Sequence, residues 1–176
     1  MKKVKIITDS TSDLSADILK KYDITVVPLY VDFAERSYRD GVDLFPVQLF
    51  KIVEEKGVLP KTSAPSPYDF IKHFEEYIEQ GTDILVITIS AKMSSAYQNA
   101  LLATSEFPRE RIWVVDSQNL STGIGYLVMI AGEMAKEGQS AEKIAERLKT
   151  IIPRVKVNFV IDTLEYLYKG GRCNVL

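Results

Sequence analysis

Short apolar runs and stretches of helical period alternate along this chain. Residues 4–8 and 24–33 read as strands, and residues 83–89 carry β-branched side chains at Ile84, Val86, Ile87, Thr88 and Ile89, as expected of a strand buried on both faces of a parallel sheet. Between them fall helices at 15–22, at Pro46–Lys56 with proline at the first helical position, and from Ser66 to Gly81. That last helix carries Phe70, Ile71, Phe74, Tyr77 and Ile78 on one stripe. Its start, Ser66-Pro67-Tyr68-Asp69, is a capping box. Further along, a helix over 95–107, a strand over 111–115, helices over 126–136 and 141–152, a strand over 156–162 and a short helix over 163–169 complete the order. Repeated strand–helix alternation predicts an α/β fold, a mainly parallel sheet with helices on both faces. Pro28 lacks the N–H that a central strand needs, which places residues 24–33 near an edge or at a bulge. Residues 35–43, with Asp40-Gly41, suit a small hairpin or a solvated surface loop.

The polar residues gather where strands end. Asp9-Ser10-Thr11-Ser12-Asp13 follows the first strand, Ser90 to Ser95 follows 83–89, and Asp116-Ser117-Gln118-Asn119 follows 111–115. Lys61-Thr62-Ser63-Ala64-Pro65-Ser66-Pro67 reads as a rigid loop with three hydroxyls. In open α/β sheets ligands bind beyond the carboxyl ends of the strands, so these turns predict one crevice near Asp9, Thr62, Ser94 and Asp116. Ser94 or Ser95 can cap the following helix, leaving hydroxyls and backbone N–H groups suited to an anion. The plainer reading is that Asp, Ser and Thr make turns and caps by bonding their own backbone.

Composition narrows the classes. With 176 residues, 46% of them apolar, the chain fits one domain with a substantial core. No apolar run reaches the roughly 20 residues of a membrane span, and the first ten residues lack the apolar core of a signal peptide, so a cytoplasmic location is expected. One cysteine, Cys173, excludes an internal disulfide. A formal net charge of −2, with both signs interspersed, lacks the footprint of a nucleic-acid binder.

The turns offer few titratable groups. Lys92 is the only histidine or lysine in the turns that follow strands, and no G-x-S-x-G elbow occurs. A serine-dependent hydrolase or transferase using Ser94 or Ser10 with Lys92 or Asp9 is the enzymatic alternative. Asp9, Asp13 and Asp116 alone make a poor metal site, and no metal or other cofactor is expected. The P-loop signature is absent, and G-x-G-x-x-G fails because Val128 stands at the third glycine after Gly123 and Gly125. His73 lies among core positions of its helix and reads as an exposed helix residue rather than a catalyst. A small carboxylate held by hydroxyls and helix-terminal N–H groups, with an apolar body in the core, fits these residues best.

Five motifs in order, Asp9-Ser10-Thr11-Ser12, Lys61 to Pro67, Ile89 to Tyr97, Val115-Asp116-Ser117 and Leu164 to Arg172, resemble those of the DegV family of bacterial fatty-acid-binding proteins. The resemblance implies a long-chain acyl group whose carboxylate is held by Thr62 and Ser94, with Arg172 bordering the head group; Ser95, which can share or replace the role of Ser94, and Ser10 are further candidate ligand contacts. It also implies presentation of the acyl group to a separate fatty-acid kinase, with the protein itself a carrier and not the catalyst. Family members continue past Gly170-Gly171-Arg172 into a second domain that covers the ligand and supplies a histidine. That domain is expected to be missing here, which makes a truncated, non-functional remnant a further alternative. The serine turn reads Ala91-Lys92-Met93 where the family commonly has glycines, so its backbone is expected to adopt positive φ less readily.

Overall fold

The computed structural model describes residues 3–164 and 167–168. Its elements are β1 (Val4–Asp9), a 3-10 turn (Ser10–Ser12), α1 (Ala16–Tyr22), β2 (Ile24–Val27), β3 (Tyr30–Phe33), β4 (Arg36–Arg39), α2 (Pro46–Lys56), β5 (Lys61–Ser63) and α3 (Pro67–Glu79). There follow β6 (Asp83–Thr88), α4 (Ala96–Ala103), β7 (Ile112–Asp116), α5 (Thr122–Lys136) and α6 (Ala141–Ile151). The main sheet has the order β2-β1-β6-β7, and every neighbouring pair is parallel.

Strand period two sorts the core into two layers. Ile6, Leu85, Ile87 and Val115 point toward Ile124, Leu127 and Val128 of α5 and Ile144 and Leu148 of α6. Their neighbours Ile7, Ile84 and Val86 point the other way, onto Phe70 and Phe74 of α3 and Ala100 and Ala103 of α4. Phe70, Phe74 and all four of those β6 side chains are fully buried, and each contributes about 1.5–3 kcal/mol by leaving water. Helices therefore cover both faces, as the alternation of the sequence predicts. The connection from β1 runs to β2 on one side, whereas β6 runs to β7 on the other. The strand order thus reverses between β1 and β6, so the connections leaving their carboxyl ends diverge, the place where a crevice forms in such sheets.

Several expectations change. Residues 24–33 are two strands: β2 stops at Val27 on the sheet edge, and beyond Pro28 the chain enters a second, antiparallel sheet of order β4-β3-β5. Proline removes the donor that would have continued the ladder. The segment Lys61–Ser63, expected as a loop, is β5 of that small sheet, with Thr62 opposite Val31; its partner is distant in sequence, so local pattern could not reveal it. Helix α5 begins at Thr122 and takes Gly123 and Gly125 into its first turn. A Cβ on Gly125 would stand 2.8 Å from the Ser12 carbonyl, so glycine lets α5 approach the turn after β1. Finally, residues 156–162 form no strand. Phe159 and Val160 are 57% and 98% exposed, and among the described residues no neighbouring strand offers a ladder to join.

The hairpin expected within 35–43 turns earlier, between β3 and β4, and Asp40-Gly41 lies in the turn that follows, with Gly41 at φ +70°. The charges there are not merely solvated: Arg39 donates from Nε and Nη2 to both oxygens of Asp43, at 2.8 and 3.0 Å, which holds that carboxyl down at about 2. Of the helix expected over 163–169, residues 165, 166 and 169 lie outside the described residues; 167–168 are helical, and Tyr168 N donates to the Leu164 carbonyl at 2.9 Å.

Candidate functional site

The crevice is fastened by carboxylates that accept backbone N–H groups. Asp9, at the end of β1, is fully buried and accepts from Ile89 N at 2.7 Å, Thr11 N at 3.1 Å and Thr11 Oγ1 at 2.5 Å. Burial pushes its pKa up, against these hydrogen bonds. Asp116, at the end of β7, accepts from Ala91 N at 3.1 Å and Gln118 N at 2.9 Å, joining the serine turn to the third polar turn. Within the serine turn the Ser90 carbonyl accepts from Met93 N and Ser94 N. No residue from Ile89 to Ala96 has positive φ, so Ala91, Lys92 and Met93 carry no strain in place of glycine.

A cleft of about 640 Å³ opens above this frame, between the small sheet and the start of α4. Thr62, Ser94 and Ser95 all line it, with Thr11 on its floor and Leu29, Ile89 and Met93 supplying apolar surface. Thr62 reaches it from β5, on the same face as the buried Val31. Ser94 reaches it from the turn, and its hydroxyl accepts from Ala96 N at 3.2 Å, so Ser94 does the capping while Ser95, in the N-cap position, makes no side-chain cap bond. The hydroxyl of Ser95 is the less committed of the two.

Ser10 is placed differently from expectation. Its hydroxyl donates to Asp40 Oδ2 at 2.7 Å and accepts from Leu29 N at 3.1 Å, tying the turn after β1 to both ends of the β3–β4 hairpin. It is not among the residues that line the cleft, but it bonds two that are, Asp40 and Leu29. Arg172 lies outside the described residues.

Sequence reading missed Tyr30, Asp40 and Asn99. Tyr30 lines the cleft and donates to Asp69 Oδ1 at 3.0 Å, which, after burial, raises the phenol pKa. Asp40 looked like an ordinary turn residue, and Asn99 an ordinary helix residue, yet Asn99 Nδ2 donates to the Pro65 carbonyl at 2.7 Å. The signal for Asn99 was its place one turn after Ser95. No histidine, lysine or arginine is among the described residues lining the cleft. His73 is half-buried rather than exposed, and burial lowers its pKa.

A larger groove, about 880 Å³, runs between α5, α6 and residues 154–157, with Arg147, Arg154 and Lys156 over an apolar floor that includes Ile130 and Met134. Of the described residues expected to bind ligand, Ser10, Thr62, Ser94 and Ser95, none lines it. The smaller cleft is favoured by the convergence of three hydroxyls from two segments distant in sequence, Thr62 from β5 and Ser94 and Ser95 from the turn before α4.

The family model described as "Uncharacterised protein, DegV family" matches residues 3–175. The chain belongs to the DegV family. A DegV domain-containing protein of Caldanaerobacter subterraneus subsp. tengcongensis is 40% identical over 172 residues, covering 98% of this chain and 61% of that protein. Among solved structures, a DegV family protein from Thermus thermophilus, described for its fatty acid binding, superposes with a TM-score of 0.86 at 40% identity, covering 97% of this chain and 60% of that one. DegV of Bacillus subtilis, a fatty acid binding protein, gives a TM-score of 0.90 at 28% identity, covering 98% and 61%. This DegV chain therefore spans about three-fifths of the length of these relatives. Among its described residues no helix is long and apolar enough to cross a membrane.

Proposed function

We propose that this chain binds a long-chain fatty acid, with the carboxylate in the cleft at Thr62, Ser94 and Ser95 and the acyl chain leaving along apolar surface. The observation that carries the reading is the convergence of those hydroxyls, from β5 and from the turn before α4, above the strand-order reversal between β1 and β6. Hydroxyls and the first amides of α4 neutralise a carboxylate by hydrogen bonding without a cation. Two relatives of the same fold are described as fatty acid binders, which supports the ligand class.

The chain acts in this reading as a carrier that presents the carboxylate to a separate fatty-acid kinase, the role that the family resemblance implies. A serine-dependent hydrolase needs a base beside its serine, and Lys92, the nearest in sequence, is exposed and does not line the cleft. The test is mass spectrometry of lipid extracted from the purified 176-residue chain, paired with titration of a long-chain fatty acid into delipidated protein. Stoichiometric co-purified fatty acid and saturable binding are expected. No binding, together with turnover of activated esters, would instead favour the serine enzyme.

A further inference from the structure

The two sides of the cleft belong to segments far apart in sequence, so something must fix the distance between Thr62 and Ser94. We propose that Asn99 is the residue that sets it: a positioning residue for the carboxylate cradle, resting on the fatty-acid reading above. Asn99 lies in α4, and its own N–H donates to the Ser95 carbonyl at 2.9 Å, which places it one turn above the serines. Its side-chain Nδ2 crosses to the Pro65 carbonyl at 2.7 Å, three residues beyond Thr62. The acceptor is a carbonyl, so the amide orientation is determined: only the NH2 end can make this bond.

The surroundings explain why one amide suffices. Pro65 is buried, and Pro65 and Pro67 bracket the link between β5 and α3, so little backbone freedom remains once the Pro65 carbonyl is held. At its other end this link is clamped by the Ser66–Asp69 capping box, with Ser66 N donating to Asp69 Oδ2 at 2.8 Å. On the opposite side, Ala96 and Ala100 are fully buried, so α4 is seated on the sheet and cannot follow the loop. Asn99 thus couples a short strand to a seated helix. Hydroxyls that share one carboxylate must keep their spacing to within about half an ångström.

The experiment is a double-mutant cycle on the 176-residue chain. Asn99→Leu keeps the volume and removes the donor; Asn99→Asp keeps the shape and turns an oxygen toward the Pro65 carbonyl. Each is made alone and with Thr62→Val, and binding of palmitate is measured by calorimetry alongside thermal melting and amide hydrogen exchange. Both Asn99 variants are expected to weaken binding about tenfold, the loss of one such constraint. In their background, Thr62→Val should add little, because Thr62 is already out of register. Exchange should rise at residues 61–66 and 94–97 while the rest of the chain is unchanged, a readout that needs no ligand. Full additivity of Asn99→Leu and Thr62→Val, or unaltered exchange at those segments, overturns the proposal. If wild-type chain binds no palmitate, the fatty-acid reading fails, and the exchange pattern alone decides whether Asn99 joins the two sides.

Discussion

The carboxylate of Asp9 accepts the amide proton of Ile89 across the gap where the sheet's strand order reverses, at 2.7 Å and out of contact with solvent. One side chain at the end of β1 thereby fixes the first residue beyond β6, from which the serine turn departs.

Asp9→Ala removes that acceptor and leaves the Ile89 N–H buried without its partner. The cost of one such orphaned donor is about 1–3 kcal/mol, so a clear fall in the urea midpoint is expected. Asp9→Asn keeps an acceptor oxygen and the volume and should lose less. Equal stability of Asp9→Ala and wild type would mean that the frame of the cleft is held elsewhere.

Thr62→Val and Ser94→Ala test the cradle directly. Hydrogen bonds to a charged group contribute about 1.5–3 kcal/mol, so either change should weaken fatty-acid binding by on the order of tenfold or more. Because the Ser94 hydroxyl also accepts from Ala96 N, Ser94→Ala should additionally cost about 1 kcal/mol of stability as a lost cap. Calorimetry separates the two when read beside thermal melting. Unchanged affinity in Thr62→Val would move the carboxylate toward the turn at Asp9 to Ser12.

Gly125→Ala probes the packing of α5 on that same turn. The new methyl would lie 2.8 Å from the Ser12 carbonyl and 3.0 Å from Leu14 Cδ2, and backbone cannot swing aside as a side-chain tip can. Overpacking of this kind costs about 1–3 kcal/mol, more than the gain of about 1 kcal/mol from alanine's better helix propensity. A lowered melting temperature is expected; a raised one would show that the turn yields freely.

His73 gives the pH dependence. Burial lowers its pKa below the ordinary 6.5, so the unfolded chain takes up a proton before the folded one does as pH falls. Stability from this group is complete above pH 6.5 and is lost as pH drops through the folded-state value. Urea unfolding at pH 7.5 and 5.5 should show a smaller loss in His73→Gln than in wild type. Identical losses would assign the pH dependence to carboxylates.

What the sequence determined by itself is what depends on near neighbours. The two-layer core followed from the continuous apolar run at residues 83–89, which marks a strand buried on both faces, and from the stripe Phe70, Phe74, Tyr77. The Ser66 capping box, with its donor and acceptor three residues apart, needed no tertiary information. Likewise the polar turns after β1, β6 and β7 were legible because strand ends and serine clusters coincide. Tertiary structure alone decided the rest. Thr62 became a strand residue because Val31, far away in sequence, offered a ladder, while residues 156–162, with a strand's pattern, find no such neighbour among the described residues. Ser10 ties the turn after β1 to the small sheet because Asp40 and Leu29 arrive beside it. The physical reason is common to all three: a hydroxyl or a strand edge is only a capacity to hydrogen-bond, and the partner that uses it is supplied by packing of distant segments.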